Sequence, residues 1–108
     1  MGNKYGIPED ALKNIRARDS NCVYCHKDMI ESVQGSWRGD CATIEHLNDI
    51  GPLNDPITVA ICCGSCNSSR RNKKLMDWFK TPYCKNKDIS VMTVAEPVRN
   101  YIKKYEAA

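Results

Sequence analysis

The sequence predicts a small α+β domain: a two-stranded antiparallel hairpin packed on a helix, flanking helices at both ends, and a structural zinc as staple. Three observations predict it. Two short β-rich runs, Cys41–Leu47 and Ile57–Cys62, follow one another across a segment dense in turn signals, Gly51-Pro52 and Asn54-Asp55-Pro56. A helix opens directly after the second run, at Gly64-Ser-Cys66-Asn67. Two Cys-x-x-Cys pairs, Cys22/Cys25 and Cys63/Cys66, bracket the hairpin.

The elements follow in order. Ile7–Arg18 reads as a helix, with Pro8 in its first turn, Glu9 and Asp10 at its positive end, and Leu12 and Ile15 on an apolar stripe beside Ala11. Residues 27–40 are polar and Gly-containing, and read as turn and loop. The helix from Gly64 is expected to run to about Lys80, with Leu75, Met76, Trp78 and Phe79 on its apolar side. A tail helix covers Val94 to Tyr105. Thr93-Val-Ala-Glu96 reads as a capping box, and Val94, Val98, Tyr101, Ile102 and Tyr105 share one face. The 108 residues make one domain, with a core over 20–80 and the tail helix over 93–105.

Composition explains the staple. One Phe, two Trp and five Tyr are a thin supply of large apolar side chains, whereas seven Cys are many for this length. The N-terminal stretch lacks the apolar segment of a secretory signal, no run is long enough to span a membrane, and an odd Cys count fits a disulfide framework poorly. A metal site in a reducing, cytoplasmic setting is therefore expected. A two-residue gap turns both thiolates of a pair toward one ion, and two pairs complete a tetrahedral four-thiolate zinc site. Cys22-Val-Tyr-Cys25-His26 also fits the haem-attachment pattern, but that chemistry requires export; a redox Cys-x-x-Cys would sit in a βαβ context that is missing. Cys41, Cys62 and Cys84 remain, and default to small buried hydrophobes.

The net charge of +3 says less than its distribution. Lys13, Arg16 and Arg18 form one cluster; Arg70, Arg71, Lys73 and Lys74 form another, directly after Asn67. Glu45-His46 closes the first strand, where a following loop can bring both side chains toward one site. The helix start near Asn67 is a favourable place for a phosphate. A carboxylate, an imidazole, an amide oxygen and cations are thus expected on one zinc-stapled scaffold.

In this pattern the stretch Cys22–Trp78 resembles the HNH endonuclease family, including its phage-encoded members. That family has a Cys pair, an acidic residue followed by His, a central Asn, and a second Cys pair followed by His or Asn and basic residues. The matching pieces are Cys22/Cys25, Glu45-His46 and Cys63-Gly-Ser-Cys66-Asn67 with Arg70-Arg71. The resemblance implies the ββα-metal fold and metal-dependent hydrolysis of DNA phosphodiesters. It implies that His46 is the general base and that Glu45 and Asn67 hold one catalytic Mg²⁺ or Mn²⁺, separate from the structural Zn²⁺. Hard oxygen ligands suit Mg²⁺ and Mn²⁺ as thiolates suit zinc. An ordinary imidazole can accept a proton at neutral pH. The chain departs from the pattern twice: Thr58 stands where the central Asn is counted, with Asn54 nearby, and Glu45 stands where Asp is frequent. Arg70, Arg71, Lys73 and Lys74 are the expected DNA contacts, with duplex DNA as partner and no membrane.

The segment from Leu75 to Tyr105 looks like the ends of small standalone phage and prophage proteins, which implies the cytoplasm of a bacterial host. One site per chain nicks; a double-strand cut calls for a homodimer or successive nicks. Two other classes compete. A zinc-knuckle module would grip nucleic acid through the basic run without cutting. A subunit of a larger phage packaging or restriction assembly would dock through an exposed apolar stripe on the tail helix.

Overall fold

Helix α1, Glu9–Arg18, starts one residue after Pro8, which stands before the helix with an extended ψ of 144° and accepts the Leu12 amide on its carbonyl. Pro8 is thus the cap residue and not part of the first turn. Glu9 and Asp10 sit at the positive end, Arg16 and Arg18 at the negative end. The computed structural model describes residues 7–31, 39–48 and 57–106. Asn54 and the turn signals of the expected hairpin loop lie outside these residues.

Asp19 ends α1 and ties it to the sheet. It is buried, Arg18 pairs with its carboxylate at 2.8 Å, and its Oδ2 accepts the Ile61 amide at 2.9 Å. Strands β1, Ala42–His46, and β2, Val59–Cys63, run antiparallel, from Ala42 opposite Cys63 to His46 opposite Val59. They form a two-stranded sheet, and the domain is a small α+β unit with five short α-helices among the described residues. Every residue of β2 is buried because both its faces are covered. Val59 and Ile61 pack with Ile7 and Ile15 under α1; Ala60, Cys62 and Cys63 join the main core. From Val59 to Cys62 this division is the two-residue alternation of a strand; Cys63 departs from it, joining the main core where the strand ends at the thiol cluster.

Helix α2, Gly64–Arg70, follows β2 without a loop. The expected continuous helix to about Lys80 breaks at Arg71, whose φ of 53° is left-handed. There Arg70 turns inward, its Nε donates to the Lys73 carbonyl at 2.9 Å, and the Lys73 amide returns to the Arg70 carbonyl. The chain loops around the guanidinium before α3, Leu75–Trp78, resumes. Helix α4, Pro82–Lys87, was not expected from the apolar pattern, although Pro82 in its first turn is a legible start signal.

The tail helix is shorter than expected: α5 covers Glu96–Tyr101 and passes into a π-helical turn over Ile102–Glu106. The capping box does not form. Thr93 Oγ1 donates to the Asp88 carbonyl at 2.7 Å and accepts the Ser90 amide at 2.9 Å, and Ala95 precedes the first turn. Pro97, which has no amide to give, fixes the start there. The expected apolar face is real but turned inward: Val94, Val98, Tyr101 and Ile102 are buried, and Tyr105 stacks on Tyr101 at the edge. This removes the exposed stripe on which a docking subunit would rely. Among the described residues no helix is long and apolar enough to cross a membrane.

Trp78 is the centre of the main core. It is fully buried, meets Tyr24 edge-on at 4.8 Å between centroids, stacks near Tyr83, and donates its indole N–H to Ser69 Oγ at 3.0 Å. It therefore joins α3 to α2, α4 and the first Cys pair. Trp78→Ala is expected to destabilise the zinc-loaded protein by about 3–5 kcal/mol, read as a lower urea midpoint with little change in slope.

Candidate metal centre and the Glu45–His46 strand end

The two Cys pairs meet. Cys22 and Cys25 lie in the turn after α1, Cys63 ends β2, and Cys66 is in the first turn of α2. Their four sulfurs all lie within 4.8 Å of one another, and Cys25 Sγ is 3.9 Å from Cys63 Sγ. A tetrahedron with Zn–S bonds of about 2.3 Å has edges of about 3.8 Å. The cluster thus fits an ion such as zinc with small inward shifts.

The local backbone prepares the thiolates. The Cys25 amide points to Cys22 sulfur, the Lys27 amide to Cys25 sulfur and the Cys66 amide to Cys63 sulfur. His26 makes the first turn tight with a φ of 65° and an amide bond to the Cys22 carbonyl at 2.9 Å. Its exposed ring meets the Thr93 carbonyl and lies outside the thiol set. Hydrogen bonds from the neighbouring thiols hold Cys25 far below the usual thiol range, and those from Cys22 and then Cys66 bring Cys63 down to about 7. Cys22 and Cys66 are driven up as they retain the shared protons. Such a cluster readily exchanges protons for a cation. Tyr83 adds a hydroxyl donor to Cys66 Sγ at 3.3 Å, a contact the sequence did not signal. Cys41, Cys62 and Cys84 are buried apart from this set, and burial pushes the Cys62 and Cys84 thiols up.

The helix start does not offer the expected phosphate site. The Gly64 amide donates to the Cys41 carbonyl at 2.9 Å and the Ser65 amide to the Gly39 carbonyl at 2.8 Å, while the Cys66 amide faces sulfur. The leading donors of α2 are already used. Gly39 allows this approach with Ser65 in its present rotamer; a Cβ there would meet Ser65 Oγ and force that hydroxyl to turn away.

Strand alternation separates Glu45 from His46. Glu45 shares the side of Thr43, which faces α2; His46 shares the register side of Ala42 and Ile44, which line an open groove of about 440 Å³ against α1. No bulge re-aims either residue within the paired register. Asn67 packs on the Thr43 side, its Nδ2 donating to Thr43 Oγ1 at 3.0 Å and to the Ile44 carbonyl at 3.1 Å, so its Oδ1 remains for another partner. His46 is half-buried at the strand end. Thr58 is fully buried, and its carbonyl accepts the Leu47 amide at 2.9 Å, one step beyond the His46–Val59 pair.

Glu45 and Arg70 form a buried polar cluster. Each is 3% exposed. Arg70 Nη1 donates to Glu45 Oε2 at 3.1 Å and to the His46 carbonyl at 2.9 Å; Nη2 donates to the Leu47 carbonyl at 2.8 Å. Tyr24 Oη donates to the same Glu45 Oε2 at 2.6 Å. Burial raises the Glu45 carboxyl, opposed by the Arg70 charge and by both hydrogen bonds. Burial and then the Glu45 charge push Tyr24 well up, so it stays a donor. Arg70, expected on the DNA side, instead points all its nitrogens inward; Arg71, Lys73 and Lys74 are the exposed cations of that run. No family model, curated protein or solved structure matches the chain.

One equivalent of zinc is expected to bind, and Cys66→Ser to weaken binding strongly. The pH sign follows from the thiols. Cys63, lowered to about 7, is mostly thiolate above that pH and protonated below it. Metal binding must then displace more protons, so affinity falls from pH 8 to pH 6, measured by chelator competition.

Proposed function

We propose that this protein is a metal-dependent endonuclease of the HNH type, which nicks duplex DNA with His46 as general base. The observation that carries the reading is the junction of strand and helix beside the thiol cluster. Strand β2 passes directly into α2, and Asn67 of that helix is bonded to β1 two residues before His46. With the Cys pairs and the Glu45-His46 sequence, this follows the order of parts in the HNH pattern that the sequence resembles.

The chemistry requires an activated water and a cation at the phosphate oxygens. In this reading the His46 imidazole takes the water's proton. Asn67 Oδ1 and the Glu45 carboxylate would be the hard donors for Mg²⁺ or Mn²⁺, which would supply charge at the leaving oxygen; for Glu45, buried and held by Tyr24 and Arg70, this requires the strand end to open toward the ion. The zinc holds the scaffold and takes no part in the chemistry. Exposed Arg71, Lys73 and Lys74 grip the backbone without reading sequence.

The test is supercoiled plasmid with Mg²⁺ or Mn²⁺, comparing wild type with zinc-replete His46→Ala. The wild type converts plasmid to open circles, and the variant loses at least about 100-fold in rate. Equal cutting by both proteins rejects His46 as base. Binding without cutting by both favours a zinc-stapled nucleic-acid-binding module, whose contacts would be the same exposed cations.

A further inference from the structure

We infer that Tyr24 and Arg70 are positioning residues that couple the zinc knuckle to the backbone carrying His46. Tyr24 lies between the two ligands of the first Cys pair, so the ion that fixes Cys22 and Cys25 also fixes its ring. Its ring is wedged edge-on against Trp78, which leaves the hydroxyl one direction, toward Glu45 Oε2 at 2.6 Å. The same oxygen receives Arg70 Nη1. Arg70 follows the second Cys pair by one helical turn, so it too is anchored to the thiol cluster. From there its two terminal nitrogens hold the carbonyls of His46 and Leu47, the residues at which β1 ends.

A strand end beside a long connection would ordinarily fray. Here the last pairing, His46 with Val59, is followed by the Leu47 amide on Thr58 and is locked from the side by the guanidinium. Hydrogen-bonded supports of a metal's ligands commonly alter affinity or activity by about 10–100-fold when removed. The arrangement gives this chain one such set of supports shared between two sites: one end touches the knuckle that holds zinc, the other the strand that holds the base. All three guanidinium nitrogens of Arg70 are thereby engaged inside the protein and the side chain is buried, so its role is exerted through protein carbonyls and Glu45.

The catalytic part of this inference rests on the nuclease reading; the coupling itself does not. Both are tested on zinc-loaded Tyr24→Phe and Arg70→Lys proteins. Tyr24→Phe removes one hydroxyl and keeps the ring; Arg70→Lys keeps the charge but cannot reach both carbonyls and the carboxylate at once. Zinc stoichiometry is expected to remain one. Amide exchange at Leu47 is expected to rise about 10-fold in both variants, while exchange at Ile89, whose amide bonds to Cys84 away from the strand end, stays unchanged. The His46 ring resonance, one of only two histidine signals in this chain, shifts in both. On plasmid, the nicking rate at saturation falls about 10-fold with the DNA KM unchanged.

Leu47 exchange at the wild-type rate in both variants overturns the coupling. So does a parallel rise at Leu47 and Ile89, which marks a general loss of stability. A raised KM with unchanged saturating rate in Arg70→Lys overturns it in favour of a phosphate contact. If wild type does not cut, the nuclease reading fails, and the exchange and resonance data still decide the coupling.

Discussion

The four-sulfur cluster is the constraint on which the rest of the chain depends. Cys22 and Cys63 are far apart in sequence, and closing such a loop costs chain entropy that the small apolar core is poorly able to offset. Trp78 and its aromatic neighbours supply one compact centre, and the α1 side supplies only a minor cluster around Ile15 and Ile61. Zinc bound to a preformed thiolate set contributes roughly 10–16 kcal/mol of apparent free energy, most of it expressed as folding. The amides at Cys25, Lys27 and Cys66 that face the sulfurs place part of that preparation in the backbone itself.

The position of the cluster matters as much as its energy. It binds the turn after α1 to the β2–α2 junction, and everything that follows is placed by that junction. The first residues of α2 use their amides on Cys41, Gly39 and sulfur, which closes the helix start to anions and seals the hairpin against the helix. One turn later Asn67 bonds to β1, and a further turn places Arg70 at the strand end. A buried arginine is costly unless each donor is met. Here Glu45, His46, Leu47 and Lys73 accept from all three of its nitrogens, and the return of Lys73 toward Arg70 coincides with the break in the helix at Arg71. One inward side chain thus links the strand end to the interrupted helix.

Much of this was legible in the sequence, and the misses share a physical cause. The strands, the direct passage into a helix and the convergence of the two Cys pairs follow from alternation, turn residues and spacing, which are local signals. The inward turn of Arg70 is not local. Its position after Asn67 in a basic run reads as surface, and only the meeting with Glu45 of β1 offsets the cost of burial. Tyr24 carried no signal beyond being the variable residue of a Cys pair, because its partner lies twenty-one residues on. The capping box at Thr93 failed for a related reason: Pro97 and the turn back to Asp88 offered Thr93 a different set of partners. The tail face is apolar, as its periodicity implies, and because Val94, Val98, Tyr101 and Ile102 are buried these residues form no exposed docking stripe.

The separation of Glu45 and His46 onto opposite register sides gives the strand end a specific mechanical meaning. If the imidazole acts on a phosphate near Asn67, it must do so from the last paired position, where the chain leaves the sheet and its direction is set by backbone contacts, not by the pleat. Those contacts come from Arg70 on one flank and Thr58 on the other, and Thr58 serves through its carbonyl. An Asn at that position would present the same carbonyl. Thr58 is therefore compatible with an ordered strand end, since the observed contact is made by an atom that every residue possesses.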